Sequence, residues 1–193
     1  MDTEDQWTYI WGSLTYRSSK SYRILIGQRQ ASLLFEWMWS CGNLGKHKFF
    51  FWLLLMDRLN TRNILRRKNR QLDDYNCVLC NTNSEETNFH LFFDCPFSIA
   101  CWNSINISWD TNLDPLDMVC QARNTFGSTA FRELVITACW VVWTTRNGVI
   151  FYAKSYSLNQ WKFAFKEEIG LVCIKAKKKI RDALLSWCEN FPL

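Results

Sequence analysis

Residues 77–95, CVLCNTNSEETNFHLFFDC, hold three of the nine cysteines of this chain and one of its two histidines. Cys77 and Cys80 have the Cys-x2-Cys spacing at which both sulfurs of one tight turn reach one ion. His90 and Cys95 complete a Cys3His set that suits tetrahedral zinc. Four protein ligands leave no coordination position for water, so this stretch, hereafter the knuckle, predicts one structural Zn2+ ion.

Two other readings of the knuckle stay open. The thiols can be buried without a metal, and Cys77 and Cys80 can form a redox pair. We expect the other cysteines to act as small buried hydrophobic residues, since they are dispersed and mostly on apolar faces. They are Cys41, Cys101, Cys120, Cys139, Cys173 and Cys188. His47 stands between two lysines, and we expect it to be solvated rather than a further ligand.

The local sequence predicts how the knuckle folds. Thr82, Asn83 or Ser84 can cap a short helix, with Glu85 and Glu86 in its first turn. A separation of five residues does not place His90 and Cys95 on one face of an α-helix. Pro96 disfavours helical geometry at the residue before it, which lets Cys95 swing its sulfur toward the metal.

Composition predicts a globular, intracellular protein. The 193 residues are 48% hydrophobic, with eleven Trp and fourteen Phe, which allows a sizeable core. The N-terminal MDTEDQ lacks the basic and apolar regions of a signal peptide. The longest apolar runs reach only half of the roughly 20 residues that span a bilayer. We therefore expect no membrane segment and an intracellular location, with the nucleus preferred.

The expected fold is mostly α: a helical domain with a small Cys3His zinc knuckle and a short N-terminal β-hairpin. Alternation from Trp7 to Trp11, followed by Gly12 and Ser13, predicts that hairpin, and Ser18 or Ser19 can cap the next helix. We divide the chain into an N-terminal flank (1–44), a zinc-binding domain (45–110) and a C-terminal helical region (111–193).

Helical spacing predicts buried faces on three further helices. The first buries Phe49, Trp52, Leu53, Met56 and Leu59. The second is capped by Asn60 or Thr61, with Ile64 and Leu65 inward and its basic residues outward. The third is a helix of about 30 residues from Leu158, with a narrow apolar stripe running from Trp161 to Trp187.

The sequence does not predict an enzyme. Asp73-Asp74 lies between a basic helix and the knuckle without a surrounding sheet pattern, so we expect a solvated turn rather than a two-metal site. Phosphate-binding loops, nucleophile elbows and zinc-protease motifs do not occur.

The chain resembles the zinc-binding domain found downstream of the reverse transcriptase in plant LINE-type (non-LTR) retrotransposons. The resemblance runs through KHKFFFWLLLMDRLNTRNILRRKN, the knuckle with the following PFSIACW, and WTTRNGVIF farther on. DQWTYIWG and SYRIL resemble the flank upstream of that domain. The resemblance implies that Cys77, Cys80, His90 and Cys95 bind zinc. The chain departs from the parent polyprotein in lacking the endonuclease and the polymerase, so we expect a stand-alone fragment.

Clustered positive charge favours RNA or DNA as the partner, because cationic side chains neutralise phosphates. The candidate nucleic-acid-binding residues are Arg62, Arg66, Arg67, Lys68, Arg70, Lys177, Lys178 and Lys179. Phe89, Phe92 or Trp102 could stack on bases. The alternative is a host-retained protein–protein interaction module that uses the amphipathic segment 158–188, including self-association, or a relic without function.

Overall fold

The computed structural model describes residues 7–27 and 33–191. They fall into two units, one within residues 1–33 and one from residue 34 onward. The described part is mostly helical, as expected. Its α-helices are α1 Ser18–Ile26, α2 Leu33–Trp39, α3 Gly45–Leu55, α4 Arg62–Arg67, α5 Pro96–Ser104, α6 Pro115–Phe126, α7 Phe131–Tyr152, α8 Leu158–Lys175 and α9 Lys178–Glu189.

The predicted N-terminal β-hairpin is wrong, because residues 7–27 contain a turn and a helix but no strand. The amide of Tyr9 donates to the carbonyl of Ser13, which closes a tight turn. The rings of Tyr9 and Trp11 stack with centroids 4.8 Å apart, so the alternating aromatics pack on each other. The serine cap is also wrong: α1 begins at Ser18, and Arg17 holds the cap position without a side-chain hydrogen bond.

Helix α7 forms the centre of the larger unit and packs against α3, α5, α6 and α8. Its side chains Leu134, Ile136 and Val142 are completely buried. By length and composition α7 could cross a membrane. Half of its most apolar window is nevertheless buried within the chain, as expected of a core helix.

Helix α3 turns a different face to the core than its spacing predicts. Phe50, Phe51 and Leu54 are buried, whereas Phe49 is 54% and Met56 is 38% exposed. The run FFFWLLL is apolar on every side, so helical periodicity cannot select one face. The expected burial of Phe49 and Met56 is therefore wrong, although Leu59 is buried.

The predicted long C-terminal helix is two helices. Ala176 and Lys177 have extended backbone, with ψ of 145° and 150°, and separate α8 from α9. Arg181 supplies the stop, because its guanidinium donates to the carbonyls of Cys173 and Ala176 at the end of α8. Neither Gly nor Pro marks this break, which explains why sequence patterns miss it.

The apolar stripe of α8 lies inside the chain's own core. Trp161, Phe165, Ile169 and Val172 are buried at 1% exposure or less, and α8 packs against α5, α7 and α9. The stripe therefore serves packing in cis, and association of segment 158–188 with another chain stays a prediction.

His47 is buried rather than solvated, which corrects the expectation from its lysine neighbours. Its Nε2 lies 3.1 Å from Oε2 of Glu168 on α8, and its ring packs against Trp140 on α7 with centroids 5.3 Å apart. Burial is the main cause that lowers the pKa of His47 to about 4.

The cysteines outside the knuckle mostly follow the prediction. Cys41, Cys101, Cys139 and Cys173 are buried in the core, and Cys188 is partly buried. Cys120 on α6 is exposed instead.

Candidate metal centre

The first half of the knuckle is a tight antiparallel loop. Asn76 and Glu85 form an isolated bridge, and the amide of Cys77 donates to the carbonyl of Ser84. Asn83 has a φ of 53°, in the left-handed region that Asn tolerates in turns. The predicted helix at Glu85 and Glu86 is wrong, because this segment closes the loop that presents Cys77 and Cys80.

The second half of the knuckle is a π-helical turn, His90–Asp94. Its start is capped by Thr87, whose Oγ1 accepts a hydrogen bond from the amide of His90. The amide of Cys95 donates to the carbonyl of His90 at 2.7 Å, the five-residue spacing of a π turn. Cys95 itself is extended, with φ −66° and ψ 127°, which confirms the effect expected from Pro96.

These two halves bring the four predicted ligands together. One donor atom from each of Cys77, Cys80, His90 and Cys95 lies within 4.8 Å of all the others. The sulfurs of Cys77 and Cys95 are 3.9 Å apart, and the sulfur of Cys80 is 3.4 Å from Nε2 of His90.

These two donor–donor distances match the values expected of tetrahedral zinc. Zn–S bonds of about 2.3 Å and Zn–N bonds of about 2.0 Å place two sulfurs roughly 3.8 Å apart, and a sulfur and a nitrogen roughly 3.5 Å apart. A disulfide would bring two sulfurs to about 2.05 Å, and all nine cysteines are free. Thiolates and imidazole are also the donors that zinc favours.

Backbone dipoles favour a thiolate at the last ligand. Cys95 is the cap residue of α5. The pKa of Cys95 is lowered to about 5, first by the hydrogen bond with Cys77 and then, against the opposing effect of burial, by the amides of Ser98 and Phe97. The shared hydrogen bond and burial raise the pKa of Cys77 instead. The first turn of α5 therefore holds negative charge at the site.

Glu86 connects the knuckle to the rest of the chain. The amide of Arg62 donates to Oε1 of Glu86 at 3.0 Å, so this carboxylate caps α4. Thr61 occupies the predicted cap position of α4 but makes no side-chain cap bond. Arg146 on α7 donates through Nε to both oxygens of Glu86 at 3.2 Å. Sequence analysis missed this pair, for which the only sequence signal is an Arg within WTTRNGVIF.

The predicted basic residues of α4 differ in their surroundings. Arg62 is largely buried and donates to the carbonyl of Asn76 at 2.9 Å, so it supports the entry to the knuckle. Arg66 pairs with Glu85 at 2.9 Å, and Arg67 pairs with Asp57 at 2.8 Å. Both arginines are more than half exposed. Lys68 and Arg70 are also exposed.

The second predicted basic cluster lies at the start of α9. Lys177, Lys178 and Lys179 are all exposed. Lys177 is the cap residue of α9, and the first turn of that helix contains no acidic residue. The lysines therefore add to the positive end of the helix dipole instead of offsetting it.

Two of the three aromatics proposed for base stacking are in the core. Phe92 is 0% and Trp102 is 1% exposed, and the indole of Trp102 donates to the carbonyl of Phe92 at 2.6 Å. Only Phe89, 40% exposed, is accessible to a base. Asp73 and Asp74 are exposed, and Asp74 pairs with Arg62 at 3.1 Å.

Comparison with known proteins agrees with this geometry. Residues 16–102 match the family model for zinc-binding in reverse transcriptase. The match includes the whole knuckle and ends within α5, so α6 to α9 lie outside it. No curated protein and no solved structure matches the chain. The family match and the donor geometry together support a zinc-binding module within this chain.

Proposed function

We propose that this chain is a non-catalytic module, derived from the reverse transcriptase region of a LINE-type plant retrotransposon, that binds RNA or DNA. One structural zinc ion, held by Cys77, Cys80, His90 and Cys95, cross-links the loop to the π turn. An intracellular, preferentially nuclear location remains part of this proposal.

The observation that supports the proposal most is the direct attachment of a basic helix to the knuckle. The amides of Arg62 and Asn63 donate to the side chain and the carbonyl of Glu86, within the knuckle. The other end of α4 carries the exposed Arg66, Arg67 and Lys68. Because α4 is bonded to the knuckle, an ordered, metal-bound knuckle holds α4 in one orientation. The positive charge of Arg66, Arg67 and Lys68 then faces solvent in a fixed direction.

The ion pairs of α4 do not prevent phosphate binding. Arg66 and Arg67 are exposed in their pairs with Glu85 and Asp57, and exposed pairs contribute only about 0–1 kcal/mol. A phosphate can replace such a partner, and counterion release from the nucleic acid adds a favourable term. Lys177, Lys178 and Lys179 provide a second exposed cluster without acidic residues in the same turn.

The test measures the affinity of the zinc-loaded full chain for single-stranded RNA and DNA 20-mers by fluorescence anisotropy between 50 and 200 mM salt. We expect affinity to fall steeply with salt, with a slope of about −0.7 per neutralised phosphate. Two variants should each weaken binding. The first is the double variant Lys68→Gln/Arg70→Gln, and the second is the triple variant Lys177→Gln/Lys178→Gln/Lys179→Gln.

The matched control is Arg123→Gln/Lys154→Gln, which removes two exposed positive charges elsewhere in the chain. This control should change affinity much less than Lys68→Gln/Arg70→Gln does. Equal losses in both variants would show that only net charge matters. Absence of salt-dependent binding by the wild type would contradict the proposal.

A further inference from the structure

One face of α3 presents apolar side chains to solvent. Phe49, Trp52, Leu53 and Met56, hereafter the α3 stripe, follow each other at helical spacing. Phe49 is 54% and Met56 is 38% exposed, and the other two are partly buried. The rings of Phe49 and Trp52 have centroids 5.7 Å apart. Trp52 and Leu53 also pack against the core, whereas Phe49 and Met56 do not belong to it. The core therefore does not explain the apolar side chain at position 49.

The α3 stripe leads into a cleft between α3 and α4. The cleft measures about 750 Å³, and its apolar wall includes Leu53, Met56 and Ile64. Its charged residues are Asp57, Arg58, Arg67 and Lys68. Three cations against one carboxylate make the cleft positive.

The single carboxylate of the cleft already has two donors. Asp57 accepts from Arg67 at 2.8 Å and from Asn88 at 2.7 Å. Its φ of 50° lies in the left-handed region, a backbone conformation that costs free energy for a residue other than glycine. Among the described residues Arg58 makes no ion pair, and Lys68 bonds only the neutral amide of Asn60 at 2.9 Å. Two cations therefore remain available for an anionic ligand.

We propose that the α3 stripe and this cleft together bind an unpaired segment of RNA or DNA. This inference rests on the proposed function and names its contact site. Bases stack on Phe49 and Trp52, and Arg58 and Lys68 bind a backbone phosphate at the cleft. Met56, the cap residue of α3, lies seven positions after Phe49, which corresponds to roughly 10 Å along the helix axis. A duplex hides the faces of its bases, so the stripe selects single strands.

The experiment compares four point variants in the zinc-loaded full chain. Phe49→Ala removes the exposed ring, and Phe163→Ala removes an exposed ring on α8, 58% exposed, as its control. Arg58→Gln removes one of the two available cations of the cleft, and Arg123→Gln, at an exposed position on α6, is the control of equal charge. Each is titrated with a single-stranded 15-mer, an abasic 15-mer of the same backbone, and a duplex.

We expect Phe49→Ala to weaken binding of the 15-mer about tenfold and to leave binding of the abasic strand unchanged. Arg58→Gln should weaken both strands and reduce the salt slope by about 0.7. Phe163→Ala and Arg123→Gln should match the wild type within about twofold.

Two results would overturn the inference while the proposed function stands. One is strand binding that depends on the α9 lysines but not on Phe49 or Arg58. The other is self-association in sedimentation that Phe49→Ala abolishes without an effect on strand binding, because the stripe would then be a protein interface. A wild-type chain that binds no strand would overturn both proposals.

Discussion

Glu86 and Arg146 stand 60 positions apart in the chain and form a bidentate ion pair that is almost completely buried. The guanidinium of Arg146 also lies over the ring of Trp143, 4.8 Å from its centroid. Glu86 belongs to the knuckle, whereas Arg146 lies on α7, beyond the residues that match the family model. The knuckle thus depends on a helix that the family match does not include.

Removing one partner of this pair should destabilise the chain strongly. Arg146→Gln leaves the carboxylate of Glu86 buried with fewer donors, at a cost of about 3–5 kcal/mol. Urea unfolding of the zinc-loaded chain measures this loss. Arg66→Gln, which removes an exposed partner of Glu85, is the control and should cost less than about 1 kcal/mol. Equal losses would contradict the assigned burial.

Loss of one metal ligand should release the zinc ion. Cys95→Ser is expected to abolish stoichiometric zinc in elemental analysis of the purified chain and to lower its melting temperature. Structural zinc sites contribute on the order of 10 kcal/mol to local folding. Cys120→Ser changes an exposed cysteine outside the knuckle and should retain one zinc per chain. A wild-type chain that folds fully without metal would contradict the predicted zinc site.

Stability should rise with pH between about 4 and 6.5 because of His47. Burial, opposed by Glu168 and reinforced by Lys46, lowers its folded-state pKa from 6.5 to about 4. In this window the unfolded chain binds the additional proton, so acid favours unfolding by roughly 3 kcal/mol across the range. The slope of unfolding free energy against pH should be smaller in His47→Gln. Identical slopes in variant and wild type would show that His47 is not the responsible group.

Substitution of alanine for two glycines should change the stability of the chain in opposite directions. A Cβ at Gly42 would lie 3.2 Å from Cβ and 3.3 Å from Cα of Ala176, so Gly42→Ala should destabilise by about 1–3 kcal/mol. At Gly170 on α8 a Cβ meets nothing within 4 Å, and Gly170→Ala should stabilise by about 0.5–1 kcal/mol. Thermal unfolding of both variants tests the contact between residues 42 and 176, and stabilisation by both would contradict it.

Local chemistry explains which features the sequence predicts. The spacing of Cys77 and Cys80, and the effect of Pro96 on Cys95, depend on neighbouring residues, and both features are present in the structure. The core face of α3 could not be selected, because its apolar run leaves every face equivalent. The stop of α8 depends on Arg181, which reaches back from α9. The pairing of Glu86 with Arg146 could not be predicted from the sequence, because only the tertiary fold brings these two residues together.

The π turn makes the length of the segment between His90 and Cys95 critical. An α-helix advances about 100° per residue, so deleting one residue there would restore an ordinary i to i+4 turn and rotate the imidazole away from the sulfurs. An insertion would displace it in the opposite sense. A substitution at positions 91–94 changes the packing of one side chain. A change in the number of residues between His90 and Cys95 instead alters the positions of the metal-binding atoms.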